Sequence, residues 1–183
     1  MSRYINGTFS GALPRFIFPR IYVTWNQSRT DNTSTVTATL QFRRLTTNYY
    51  SYNLNGHSTT LNIGGDSATA SRTFDVRVDS PPNTVNVWTR TTTIQHNSSG
   101  NASVTISANG NTGVNLGSYN FSETITLPQI DRETTITSAS MSNISVGTAR
   151  DVNFGLDVKN SSYKLDIQVR YGNTTIFSDT GLS

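Results

Sequence analysis

The chain has 183 residues, no cysteine and a formal net charge of +3. The absence of cysteine excludes a disulfide framework, a thiolate nucleophile, an iron–sulfur cluster and the usual structural zinc sites. Thr, Ser and Asn together supply 71 residues, about 39% of the chain, whereas charged residues supply 14%. These proportions are typical of a polar β-protein rather than a helical one.

The basic residues are dispersed, with Arg43 and Arg44 as the only adjacent pair. A nucleic-acid surface needs clustered positive charge, so we expect no nucleic-acid partner. The one apolar stretch near the N-terminus, residues 16–23, is interrupted by Pro19 and Arg20. It predicts neither a signal peptide nor a membrane span, and we expect no membrane partner.

Two strands are predicted at the start of the chain, over Arg20 to Gln27 and over Ser34 to Arg44, joined as a hairpin by the turn at residues 29–32. The second strand has the strictest alternation in the sequence. Its inward residues are Val36, Ala38, Leu40 and Phe42.

The segment from Thr46 to His57 has no sustained period and carries three tyrosines, which predicts a long surface loop. A strand over Thr59 to Ile63 follows. Gly64, Gly65 and Asp66 then form a hairpin turn into a strand that runs through Phe74.

Another strand is predicted over Thr84 to Ile94, with the valines on one face and Trp88 on the other. We interpret residues 96–101 as the loop of a hairpin that leads to a strand around Val104 and Ile106. A last inward face comprises Tyr119, Phe121, Ile125 and Leu127. No segment has the period of an amphipathic helix.

The alternation stops at residues 127–132 and restarts later, which indicates two domains. We predict an all-β fold: an antiparallel, jelly-roll-like β-sandwich over residues 1–128, a linker over 129–133, and an immunoglobulin-like β unit over 134–183. Three or four strands are about half of an immunoglobulin-like sandwich, so this unit is predicted to be incomplete. Either the natural chain continues past Ser183 or another chain covers the open face.

Chemistry-bearing residues are few and scattered. His57 and His96 lie in predicted loops without metal-ligand spacing, so we interpret both as solvated loop histidines. The eleven acidic residues fall mostly at turns or outward positions. We therefore predict no catalytic residues, no metal site and no cofactor, and we expect the chain not to be an enzyme. A wall-degrading hydrolase, the less favoured alternative, needs two carboxylates about 5 to 10 Å apart across a groove.

The predicted loop carries the candidate binding site, because aromatic rings suit the C–H faces of sugars and neighbouring polar groups supply directional hydrogen bonds. In the alternative interpretation the tyrosines cap the end of the sandwich, and Trp25 and Trp88 are core residues. The candidate glycan-binding residues are Tyr49, Tyr50, Tyr52 and His57 of this loop, joined by Trp88 and Arg90 on a nearby strand.

Several short segments, taken in their order, carry a resemblance to a known family: Tyr22–Ser28, Asn32–Ala38, Ile94–Asn97, Val104–Ala108 and Leu127–Arg132. The chain resembles the siphophage minor structural protein family, tail proteins of phages that infect streptococci and related Gram-positive bacteria. The second unit, from Asn160 to Gly172, is similar to the start of the immunoglobulin-like domain that follows the linker in that family.

The resemblance implies a virion protein of the distal tail, assembled in the host cytoplasm without a signal peptide and associated with host attachment. Its expected partners are other tail or baseplate proteins, host cell-surface polysaccharide and further copies of itself, with a trimer suspected. The alternative is a purely structural connector or oligomerisation module of the tail that binds no glycan. The resemblance itself assigns no binding residues.

Overall fold

The computed structural model describes residues 1–11, 16–45, 53–75, 82–131, 135–141, 152–157, 165–171 and 173–182. Within these ranges the chain forms strands and turns and no helix. It divides into two compact units, one made of Met1–His96 and Ala102–Pro128 and the other of Asn97–Asn101 and Gln129–Ser183.

The first unit contains eight strands. They are β1 (Ser2–Asn6), β2 (Ile17–Ser28), β3 (Thr33–Arg44), β4 (Asn53–Ile63), β5 (Asp66–Asp75), β6 (Asn83–Gln95), β7 (Ala102–Asn111) and β8 (Ser118–Leu127). Sheet A has the strand order β1-β2-β3-β6, and sheet B has the order β5-β4-β7-β8. All neighbouring strands are antiparallel. The predicted antiparallel β-sandwich is confirmed.

The core is built from alternate residues of the strands, because successive side chains of a strand point to opposite faces. The inward residues of β3 illustrate this, since Val36, Ala38, Leu40 and Phe42 are all fully buried, as the alternation predicted. The Phe42 ring meets Phe74 edge-on at a centroid distance of 4.5 Å. Such edge-to-face pairs stabilise beyond their buried area, by about 0.5–1.5 kcal/mol each.

Part of the predicted tyrosine loop is a strand. β4 begins at Asn53, so residues 53–57 pair with β5, and the remainder of the predicted loop, residues 46–52, lies outside the described residues. The loop prediction failed here because these strand residues are polar except for Leu54, and a polar strand gives no hydrophobic alternation. The Gly64 and Gly65 turn between β4 and β5 is confirmed, and both glycines have positive φ.

The predicted hairpin between β6 and β7 is wrong. β6 pairs with β3 in sheet A, and β7 pairs with β4 and β8 in sheet B. Residues 96–101 therefore cross between the sheets, a distance of about 10 Å in a packed sandwich. Proximity in sequence suggested pairing, but the length of this connection equally permits the crossing.

The second unit has two antiparallel two-stranded sheets in its described part. β9 (Thr135–Met141) pairs with β10 (Val152–Asp157), and β11 (Leu165–Tyr171) pairs with β12 (Thr174–Leu182). The backbone amide of Ile130 donates a hydrogen bond to the carbonyl of Gly100. An incomplete immunoglobulin-like domain stays a prediction for this unit.

Candidate functional site

Three of the six predicted glycan-binding residues fall within the described residues. Tyr49, Tyr50 and Tyr52 lie outside them, and their role in binding stays a prediction. The other three, His57, Trp88 and Arg90, lie on strands of the first unit, and of these His57 alone was expected on the loop.

His57 is a core residue, 5% exposed, and not the solvated loop histidine that the sequence suggested. Its Nδ1–H donates to the Arg72 carbonyl at 2.8 Å, which leaves Nε2 to accept the Thr59 hydroxyl at 2.7 Å. The Tyr119 hydroxyl is 2.7 Å from the same Thr59 oxygen. Burial lowers the pKa of His57, partly offset by the Arg72 hydrogen bond, and burial raises the pKa of Tyr119 to about 12. The buried imidazole is therefore neutral and hydrogen-bonded on both sides.

Trp88 lies on the inner face of β6, although the alternation placed it opposite the valines. A register shift between Leu40 and Gln41 inserts Val87 as an extra residue, so Leu40 faces Trp88 across the strands. One inserted residue moves every later side chain of the strand to the opposite face of the sheet. The indole packs on the core, and the Arg72 guanidinium covers its ring at 4.2 Å from the centroid. This ring has little free face for a sugar.

Arg90 fastens the two sheets together. Its guanidinium donates to the Leu61 carbonyl at 2.6 Å and to the Asp66 carbonyl at 2.9 Å, and forms an ion pair with the Asp66 carboxylate at 2.8 Å. Thr92 adds a hydrogen bond to the same carboxylate. The hydrogen bonds from Thr92 and Arg90 lower the pKa of Asp66. Because both nitrogens at the end of its guanidinium bind groups of sheet B, Arg90 acts in the structure as a cross-sheet link.

An aromatic pair stands on the outer face of sheet A instead. Tyr4 of β1 lies directly across from Tyr22 of β2, and directly opposed residues share a face. The ring centroids are 4.9 Å apart with a tilt of 35°, and Tyr4 is 48% exposed. The Arg20 guanidinium lies over the Tyr4 ring at 4.1 Å from its centroid. The cation and the neighbouring ring hold Tyr4 in place while much of its surface stays open.

Polar side chains form the adjacent row of the outer face, two residues along each strand. Arg20 Nε donates to Gln41 Oε1 at 2.8 Å, and Gln41 Nε2 donates to Asn86 Oδ1 at 2.9 Å. Arg20 and Gln41 are each only 9% exposed, although they lie on the outer face. Burial lowers the pKa of Arg20. The charge interaction with Tyr4 raises this pKa, and the positive charge of Arg43 lowers it. We call Tyr4, Tyr22, Arg20, Gln41 and Asn86 the tyrosine–arginine strip.

The sequence reasoning did not select this strip as a site. A signal was available, because the alternation of β2 places Tyr22 and Arg20 on the face opposite to Ile21 and Val23. The pairing of β1 with β2, which brings Tyr4 beside Tyr22, is a long-range contact that local alternation does not contain.

A buried serine–histidine pair lies at one end of sheet A. Ser34 Oγ lies 2.7 Å from His96 Nε2, but Ser34 is fully buried and His96 is 3% exposed. A serine nucleophile must reach its substrate, and this buried serine is shielded from solvent. The prediction that His96 is solvated is wrong. Within the described ranges no three His, Asp or Glu side chains are grouped to hold a metal ion.

The model of the family described as siphovirus protein of unknown function (DUF859) matches residues 21–181. No curated protein and no solved structure matches the chain. Among the described residues, no helix has the length and apolar character needed to span a membrane.

Proposed function

Because the chain belongs to this siphovirus protein family, DUF859, we propose that it is a structural protein of the phage tail tip or tail fibre that contributes to host attachment. In this proposal it acts without catalysis and binds polysaccharide on the surface of a Gram-positive host. Its protein partners are other tail or baseplate proteins.

The observation that supports polysaccharide binding is the tyrosine–arginine strip. Tyr4 offers an exposed aromatic surface that is 48% accessible, and the amides of Gln41 and Asn86 lie in the adjacent row of the same outer face. Sugars present apolar C–H faces and polar edges, and such a face can contact both. The outer face of a rigid sheet also keeps these groups in place before binding, which reduces the entropy cost.

Repeated weak sites suit this role. A single flat site binds with modest affinity, whereas copies tethered in one virion convert later contacts into intramolecular ones. We therefore propose that the chain works as a homo-oligomer, with a trimer as the suspected state. The rival function is a structural connector, in which a partner chain covers Tyr4, since exposed aromatic residues suit protein interfaces equally well.

Cell binding tests the proposed function. We expect the purified, fluorescently labelled chain to bind host cells saturably and to lose this binding when the wall polysaccharide is stripped. Labelled bovine albumin on the same cells controls for adsorption. Absence of saturable binding, or binding that survives stripping, would contradict polysaccharide attachment and favour the connector.

A further inference from the structure

The charges of the first unit are distributed unequally between its sheets. The four strands of sheet A contain five arginines, Arg3, Arg20, Arg43, Arg44 and Arg90, and no Asp or Glu. The strands of sheet B contain Asp66, Asp75 and Glu123 and one arginine. Sheet A is therefore the positively charged side of the sandwich.

Two of these arginines are paired with acids of sheet B. Arg3 forms an ion pair with Glu123, and Arg90 forms one with Asp66. The described contacts of Arg20 are instead neutral: the Gln41 oxygen at 2.8 Å, the Thr84 hydroxyl at 3.4 Å and the Tyr4 ring. Its positive charge lies on a sheet face whose strands supply no carboxylate.

A second cation lies beside Arg20. Arg43 is the next outward residue after Gln41 on β3, and it is half-buried. Burial is the largest cause that lowers the pKa of Arg20, and the positive charge of Arg43 lowers it further. Two neighbouring guanidinium groups repel each other, and an anion placed near both relieves that repulsion. Guanidinium groups also match the geometry of carboxylate and phosphate oxygens.

We propose, resting on the proposed function above, that the tyrosine–arginine strip together with Arg43 binds an anionic polysaccharide. A sugar ring lies against the open surface of Tyr4, and a carboxylate or phosphate farther along the polymer lies at Arg43. Arg20, which lies beneath Tyr4, is a positioning residue that holds the ring and adds positive potential.

The strand register requires a ligand longer than one sugar. Tyr4 lies opposite Tyr22, which lies opposite Thr39, and Arg43 is four residues farther along β3. Two strand spacings and four residues place the Cα atoms of Tyr4 and Arg43 about 16 Å apart. A monosaccharide does not span that distance, so binding depends on chain length.

The test measures binding of the full chain to isolated host walls and to polygalacturonate, which combines sugar rings with carboxylates. We expect Tyr4→Ala and Arg43→Gln to weaken wall binding by about tenfold each, the size of one lost contact. The matched control combines Arg43→Gln with Thr124→Arg. It restores the net charge of the chain but places the new arginine on the outer face of sheet B, and its wall binding is expected to stay weak. Thermal melts check that each variant is folded.

Chemical removal of anionic groups distinguishes the two sources of charge. Binding lost after reduction of wall carboxyl groups identifies a uronate, and polygalacturonate then competes whereas galacturonic acid and neutral dextran do not. Binding lost after hydrofluoric acid treatment identifies a phosphodiester-linked polymer, and long-chain polyphosphate alone is expected to compete weakly because it lacks sugar rings.

Three results would overturn the inference while leaving the proposed function intact: wall binding that is lost on stripping but survives removal of both anionic groups, folded Tyr4→Ala and Arg43→Gln variants that bind walls like the wild type, or restoration of binding by Thr124→Arg. Failure of the wild-type chain to bind host cells at all contradicts the proposed function itself.

Discussion

The outer faces of the two sheets differ although both sheets enclose the same core. Apart from Asp75 at the end of β5, each outward side chain described on sheet B is Ser, Thr or Asn. The outer face of sheet A has threonines at one end and the tyrosine–arginine strip with Arg43 at the other. A short polar side chain is sufficient to keep a solvent-facing sheet soluble. The larger groups of sheet A therefore exceed what the fold alone requires.

Burial separates the two faces further. Arg20 and Gln41 are each 9% exposed on the outer face of sheet A, where a large polar side chain is ordinarily solvated. On sheet B, outward residues such as Thr105 and Thr124 are exposed and hydrogen-bond to each other at 2.8 Å. The strip is thus a packed and ordered polar structure, and the threonine face is a simple solvated surface.

The largest expected effect on stability is that of Arg20→Ala. It removes the donor to Gln41 Oε1, the contact with Thr84 and the stem that packs beneath Tyr4. Leaving a buried acceptor unpaired costs about 1–3 kcal/mol, so we expect the free energy of unfolding to fall by about 2 kcal/mol. Thr124→Ala on sheet B is expected to change it by about 0.5 kcal/mol or less. Equal effects in urea unfolding would remove the distinction between the faces.

The pH dependence of stability is expected to originate in sheet B, since the strands of sheet A have no Asp, Glu or His. The pKa of His57 is lower in the folded chain than its ordinary 6.5, so the unfolded chain takes up the proton first. The contribution of His57 to stability is then complete above about pH 7 and falls as pH decreases below about 6.5. The lowered pKa of Asp66 acts later, with stability lost only below its ordinary 3.8.

His57→Gln tests this expectation, because glutamine is polar and does not titrate. The decrease in urea midpoint between about pH 7.5 and pH 5.5 should be smaller in this variant than in the wild type. Thr124→Ala should retain the wild-type pH profile. If His57→Gln retains it too, another group is responsible.

Local alternation predicted most of the sandwich, because burial of one face leaves a period of two in the sequence. The inward residues of β3 are the clearest case, and Ile125 and Leu127 of β8 are equally buried. Local reasoning failed where one residue changed the pattern, as Val87 did for Trp88, and where the strand was polar, as at residues 53–57. The strip depends on pairing between β1 and β2, which no local pattern specifies.

A smaller effect on stability is expected for Tyr4→Ala. The substitution removes an aromatic pair and a cation–π contact from a residue that is 48% exposed. We expect a decrease in unfolding free energy of about 1 kcal/mol or less, together with the weakening of wall binding by about tenfold proposed above. Simultaneous replacement of Tyr49, Tyr50 and Tyr52 by Ala is the direct comparison. If that triple variant abolishes binding and Tyr4→Ala binds walls like the wild type, the predicted loop rather than the strip is the ligand site.

The smallest effect concerns a feature that the two outer faces share. Cross-strand threonine pairs occur on both, with the hydroxyls of Thr37 and Thr91 at 2.9 Å on sheet A and those of Thr105 and Thr124 at 2.8 Å on sheet B. Such pairs contribute about 0.2–1 kcal/mol each. Double-mutant cycles to Ala, followed by urea unfolding, should give coupling energies that agree between the faces within about 0.3–0.5 kcal/mol. A clearly larger coupling on sheet A would mean that its threonines belong to the ordered network of the strip, and the boundary of the site would then extend beyond Asn86 along β6.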